Sequence, residues 1–296
     1  MDGEVALRGG AARLELVAEN LQFAECPRWH DGKLWFSDIF ARRVIRLDET
    51  GRAETMLQLP EPDLPAGLGF LPDGRLLLAN LARPVVLRLE ADGSVSTHAD
   101  LTGLAVGPLN DMVVDRWGRA YVGASGTDDF DAPRPLAGTG SIIRVDPDGT
   151  ARVVASEMDA PNGPVITADG GRYIVASVPA RQLTGFDIGP DGSLSRRRIW
   201  ADLAPGTSDG LTVDAEDGVW TCWPQGEQCR RVVEGGEVTD VITLPGRMPV
   251  AACLGGADGH SLFVLSITTG RASIAERRSR SVVERSRVDV PAGRAG

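Results

Sequence analysis

One motif, a glycine turn followed by a short apolar or aromatic run, recurs six times in 296 residues and restricts the folds open to this chain more than any other feature. The copies read HDGKLWFSDI, PDGRLLLAN, RWGRAYVGAS, ADGGRYIVAS, EDGVWTCW and ADGHSLFVLS. Their turn glycines are Gly32, Gly74, Gly118, Gly170, Gly218 and Gly259, at successive spacings of 42, 44, 52, 48 and 41 residues. A second pattern follows most copies: RVIRLDETG, PVVLRLEADG, SIIRVDPDG and LTGFDIGPDG, with a degenerate CRRVVEGGE after the fifth. Short alternating runs at this spacing, closed by Asp-Gly turns and without helical periodicity, predict repeated antiparallel sheets. Six such units predict an all-β fold, a six-bladed β-propeller of four-stranded antiparallel blades. Residues 13–18, RLELVA, supply an outer strand to the last blade, so that the terminal strands close the ring. The expected organisation is a single domain over residues 1–296, with 1–12 a loosely ordered extension.

The repeat is also a ruler. In a propeller the innermost strand of each blade begins at one face beside the central axis and ends in the hairpin that carries the glycine. Seven to nine residues before each glycine, equivalent positions hold Glu25, Gly67, Asn110, Asn162 and Asp209, and the sixth unit offers apolar residues around Val250. Four oxygen-bearing side chains are thereby expected at one mouth of the ring. Two carboxylates and two amides without a nearby His or Cys suit a hard divalent cation, Ca²⁺ foremost, with Mg²⁺ or Mn²⁺ next. Such an ion would cancel the repulsion between Glu25 and Asp209. Glu is a poor turn former, and AECPRW gives no local reason for it.

These stretches resemble the gluconolactonase and regucalcin (senescence-marker-protein) family of calcium-dependent six-bladed propeller lactonases, over roughly residues 15 to 290. FAECPRWHDGKLWFSDI is similar to the family's Glu-x-Pro segment, LNDMVVDRWGRAYVG to its Asn-Asp segment, APNGPVITADG to its Asn-Gly segment and SDGLTVDAEDGVW to its Asp-Gly segment. The resemblance implies metal ligation by Glu25, Asn162 and Asp209, a general-base role for Asp209, and a contact from Asn110 to substrate or metal. Two departures bear on the substrate. Pro108 stands where many members carry an Arg that binds sugar hydroxyls. The region after the third inner hairpin reads GASGTDDFDAPRPLAGTG instead of supplying the family's substrate-side Glu. The connection from Ala124 to Gly140 is expected to form a lid or substrate wall. Phe130 and Trp223 are the aromatic candidates for touching substrate, and Asp128, Asp129 and Asp131 are read as a solvated acidic loop.

Charge and targeting signals narrow the partners. Forty-one acidic against 31 basic residues give a net charge of −10, which repels phosphate backbones and argues against nucleic acid as partner. The basic stretch Arg277 to Arg287 is read as the solvent face of a late strand. No apolar run approaches the roughly 18 residues a membrane helix needs, and the first residues lack a signal-peptide core, so a cytoplasmic location is expected. Cys26, Cys222, Cys229 and Cys253 show no CxxC spacing and are read as reduced thiols. His30, His98 and His260 fall at glycine turns or on outer strands, against a zinc site or a His-based triad.

The expected activity is metal-dependent hydrolysis of a lactone or similar cyclic ester, a small-molecule substrate, with Asp209 and Asn110 as the catalytic pair. The alternatives are a non-hydrolytic biosynthetic reaction in the same funnel (isomerisation, cyclisation or epoxide opening) and a non-catalytic binding propeller. The sequence leaves oligomeric state open.

Overall fold

The computed structural model describes residues 14–126 and 138–293. Six four-stranded antiparallel sheets follow one another along these residues. Each begins with an inner strand: Ala24–His30, Pro65–Phe70, Leu109–Val114, Pro161–Ile166, Leu211–Val213 and Met248–Gly255. Neighbouring inner strands pack side by side around the axis, from the first through the sixth and back to the first. The six glycines of the repeat all sit in the hairpin between inner and second strands, five of them at φ of +69° to +83°, a region where a side chain would be strained. Gly51, Gly93, Gly149 and Gly192 close the third-to-fourth hairpins in the same way. This is the expected six-bladed propeller.

Ring closure is non-local. Glu15–Leu21 pairs antiparallel with Ser281–Arg287 and becomes the outermost strand of the sixth blade. The chain ends are thus joined through one sheet, as the sequence suggested, with the strand a few residues later than 13–18.

Six apolar clusters fill the wedges between successive blades. Leu34, Phe36, Phe263 and Leu265 join the first and sixth blades; Leu77, Val86, Met112 and Val122 the second and third. Tyr121, Ile142, Tyr173 and Phe186 join the third and fourth. Because each strand alternates between two wedges, nearly every residue of the second strands is buried, which explains their continuous apolar sequence. On the hairpin face, Asp214 and Arg231 form a buried ion pair at 2.6 Å, and Asp115 pairs with Arg119 at the same distance.

The basic stretch is placed differently from the sequence reading. Arg277, Arg278 and Arg280 lie exposed in the mouth-face connection between Ile267 and Ser281, which also carries the short helix Ala272–Ala275. Only Arg285 and Arg287 lie on the strand, whose body is mostly buried because the N-terminal strand covers its outer edge. No helix among the described residues is long and apolar enough to cross a membrane.

Candidate functional site at the ring mouth

The inner strands do not run straight to the mouth. In blades one to four an extra residue bulges each inner strand near its start, between Glu25 and Arg28, Pro65 and Leu68, Leu109 and Met112, and Asn162 and Val165. Bulges re-aim side chains and sharpen local twist. In the first blade the bulge holds Cys26 at φ +54° and turns Glu25 and Arg28, three residues apart, toward the same side of the sheet, opposite Ser37 and Trp35.

Two glycines let the blades meet tightly here. A Cβ on Gly163 (φ +54°) would lie 2.6 Å from the Leu211 nitrogen, and one on Gly210 would lie 2.7 Å from the Ala251 Cα. The Asn-Gly and Asp-Gly pairs therefore serve close approach between inner strands, not turns. Asp209 itself precedes the short strand Leu211–Val213, held by hydrogen bonds from its N–H to the Cys222 carbonyl and from the Gly210 N–H to the Val250 carbonyl.

Side chains from three blades converge. Asn162 Nδ2 donates to Asp209 Oδ1 at 2.7 Å. A carboxylate only accepts, so the amide nitrogen must face it, and Asn162 Oδ1 is left buried without a hydrogen-bond partner. Glu25 is buried at 7% exposure, with one oxygen accepting the Cys26 N–H at 2.8 Å. Burial, then the charges of Asp209 and Asp111, push the Glu25 carboxyl well above its ordinary range, against the opposing pull of the Cys26 N–H and Arg28. Burial and the charge of Asp111 push Asp209 up to about 7, against the Asn162 hydrogen bond and the charge of Arg271. Asn110 lies half-buried at the start of its strand and makes no side-chain hydrogen bond among the described residues.

The structure thus brings Asn162 and Asp209 into contact and Glu25 within electrostatic reach of Asp209. Among the described residues no three His, Cys, Asp or Glu side chains form a metal cluster, so an ion here would rely on amide as well as carboxylate oxygen. An orphaned amide oxygen beside two carboxylates that resist ionising together is a donor set chemically fitted to a hard divalent cation.

Trp223 ends its strand on the mouth face, but Arg230 stacks over its ring at 3.8 Å. With Gly206, Thr207 and Thr221 it lines a small cavity of about 90 Å³. Phe130, Asp128, Asp129 and Asp131 lie outside the described residues, as does most of the Ala124–Gly140 connection.

Three residues escaped the sequence reading. Asp111, inside the third-blade bulge, accepts the Gly163 N–H at 2.8 Å and ties blade three to blade four. Its signal was the Asp that follows Asn110 in the Asn-Asp segment. Arg28 reaches from the first blade to the Met112 carbonyl of the third. Arg271, in the connection of the sixth blade, adds positive charge near Asp209; nothing periodic marks it.

Fold and mouth together define a six-bladed propeller with an oxygen-lined, acidic funnel at one end of its axis. The chain belongs to the SMP-30/gluconolactonase/LRE-like family, whose model matches residues 23–268. It is 29% identical over 285 residues to a 6-deoxy-6-sulfogluconolactonase of Pseudomonas putida, covering 93% of this chain and 94% of that one. It is 29% identical over 256 residues to a pentonolactonase of Haloferax volcanii, covering 84% and 83%. Among solved structures, a luciferin-regenerating enzyme superposes with a TM-score of 0.81 at 17% identity over 95% and 97% of the two chains, a likeness of fold.

Proposed function

We propose that this protein is a lactonase that opens a lactone or similar small cyclic ester with the help of a divalent cation, Ca²⁺ foremost. Family membership and two relatives named as lactonases support the reaction class. The observation that carries the reading is the pairing at the mouth: Asp209, pushed up to about 7, bonded to an Asn162 whose amide oxygen has no partner.

Glu25, Asn162 and Asp209 would hold the cation, which when bound supplies Lewis-acid polarisation of the ester carbonyl. Glu25 contributes charge from a buried, backbone-anchored position, and Asn162 fixes the orientation of the Asp209 carboxylate. Asp209 takes a proton from the attacking water as general base. Asn110 orients the substrate, with Phe130 as a proposed aromatic contact and Trp223 another where Arg230 moves off its ring. The proposed setting is a single propeller domain in the cytoplasm.

The test is base titration of acid release from a panel of sugar and aliphatic lactones. Wild type should turn over at least one of them and lose that activity in EDTA, and Asp209→Asn should lower kcat by roughly 10²–10⁴-fold. Full turnover by Asp209→Asn sinks the general-base assignment. Conversion of a lactone to a product other than the hydroxy acid sinks hydrolysis.

A further inference from the structure

The mouth holds three carboxylates in mutual electrostatic reach: Glu25 feels Asp209 and Asp111, and Asp209 feels Asp111. One buried-side cation faces them from within the channel. Arg28 lies three residues deeper along the same strand as Glu25, and the bulge at Cys26 sets the two on one side of the sheet. Its guanidinium donates to the Pro27 carbonyl at 2.7 Å and to the Met112 carbonyl, so it spans from the first blade to the third. The intervening blade presents Gly67, whose missing side chain has a reason: a Cβ there would lie 2.4 Å from the Met112 nitrogen and 2.7 Å from the Asn110 carbonyl oxygen. With that blade stripped to backbone, the third blade's inner strand closes in and Arg28 reaches it. Its Nε is buried with no partner, so hydrogen bonding alone does not account for a cation at this depth, and the charge of Arg28 acts on Glu25, Cys26 and Cys253 of the inner strands and on Tyr173 in the wedge between blades three and four.

We infer that Arg28 is the floor of the cation site and a positioning residue whose fixed charge sets the valence the mouth accepts. This rests on the cation site proposed above. With Arg271 exposed and screened by solvent, the three carboxylates and the Arg28 guanidinium carry a formal charge of −2, which one divalent ion neutralises. A monovalent ion leaves the buried groups unbalanced, and a trivalent ion overcompensates beside a guanidinium. Uncompensated buried charge is costly, so the sum discriminates between ions in a way that the direct ligands alone would not.

The experiment measures Ca²⁺ and Tb³⁺ affinities by calorimetry and terbium luminescence on the full chain, as wild type, Arg28→Gln, Arg28→Lys and Asp111→Asn, with folding checked by circular dichroism. Arg28→Gln keeps a neutral polar side chain at this position and removes the charge. It should raise the Tb³⁺ to Ca²⁺ affinity ratio by roughly ten-fold or more, the size expected for one unit of ion charge against a guanidinium some angstroms away at an effective dielectric of about 20. Arg28→Lys keeps the charge and should keep the wild-type ratio. Asp111→Asn takes the sum to −1 and should move the ratio the other way, which tests the idea even where Arg28→Gln does not fold. A uniform loosening of the site weakens both ions and leaves the ratio unmoved, so an unchanged ratio in Arg28→Gln or Asp111→Asn overturns the inference while the lactonase reading stands. An equal shift in Arg28→Lys and Arg28→Gln also overturns it. No bound cation in wild type overturns the cation site itself, and the inference with it.

Discussion

Removing divalent ions should make the stability of this protein fall with pH across neutrality, and the amount follows from Asp209. Its carboxyl is pushed from an ordinary 3.8 up to about 7 in the folded chain. A raised acid contributes stability that is fully present below the unfolded pKa and lost as pH climbs through the folded one. A difference of about 3 units at 1.36 kcal/mol per unit is on the order of 4 kcal/mol, lost between about pH 4 and about pH 7. Glu25, raised for the same reasons, acts in the same direction. Two histidines oppose it: burial lowers His30 and His98, and groups of that kind add stability as pH rises through their unfolded value near 6.5. The assay is therefore a difference, the melting temperature of wild type minus that of Asp209→Asn, both in EDTA, from about pH 5 to about pH 8. About two of the three units fall between pH 5 and pH 8, so at roughly 2 °C per kcal/mol for a chain of this size the difference should shrink by about 5 °C over that range. Calcium added at the upper end should restore it, because the ion takes over the neutralisation that the proton provided. A difference that stays constant with pH would falsify the view that Asp209 and its acidic neighbours strain the metal-free mouth.

Other outcomes test the scaffold around the site. Gly163→Ala combines a left-handed φ of +54° with a Cβ 2.6 Å from the Leu211 nitrogen, and should cost about 2–4 kcal/mol in denaturant melts; a cost under about 0.5 kcal/mol would contradict the tight blade contact. Asp214→Ala leaves Arg231, 7% exposed in its side chain, without its buried partner, and should cost about 3–5 kcal/mol. A loss of the size seen for exposed pairs would refute that burial. All four cysteines are buried, and burial raises the thiols of Cys26 and Cys222 well above the ordinary value and Cys253 to about 11. The native protein should therefore resist a thiol-reactive dye at mildly alkaline pH and expose four thiols on unfolding. Prompt reaction of the native chain would show that a wedge between blades opens readily.

Blade number and the mouth positions were legible because a propeller writes its topology locally. Five of the six hairpins carry their glycine at positive φ, and counting back from Gly118 or Gly170 reaches Asn110 or Asn162 with the same geometry each time. The offset varies, seven residues for Glu25 and eight for Asn110, because the first hairpin closes on His30 and Lys33 while the third closes wider, on Val114 and Ala120; the bulges that blades one to four share are what the alternating pattern does not announce. For the same reason Arg28 was invisible: in an unbulged strand, residues three apart face opposite sides, so nothing placed it beside Glu25. Asp111 was masked by chemistry that suits a turn equally well, and Arg271 belongs to an irregular connection without any period. Asn-Gly and Asp-Gly stand out in the sequence, yet their glycines answer to Leu211 and Ala251 on neighbouring blades, a contact that only the assembled ring creates.

The acidic groups that converge on the ring axis are treated differently from the buried acids of the hairpin face, and this bears on where function resides. On the hairpin face acidic side chains are matched: Asp214 with Arg231 and Asp115 with Arg119, each at 2.6 Å. At the mouth, Glu25 and Asp209 are brought together with their charges only partly countered, by Arg28 and Arg271 respectively, and the Asn162 oxygen beside them has no partner. Six apolar wedges hold the inner strands so firmly that this repulsion cannot relax by spreading the blades. A frame that enforces such proximity stores an affinity for positive charge: any cation that enters recovers the repulsion already present. The strain is tolerable because it is confined to one end of the axis, and the charge deficit there, two units once Arg28 is counted and the exposed Arg271 is left to solvent screening, suits a divalent ion.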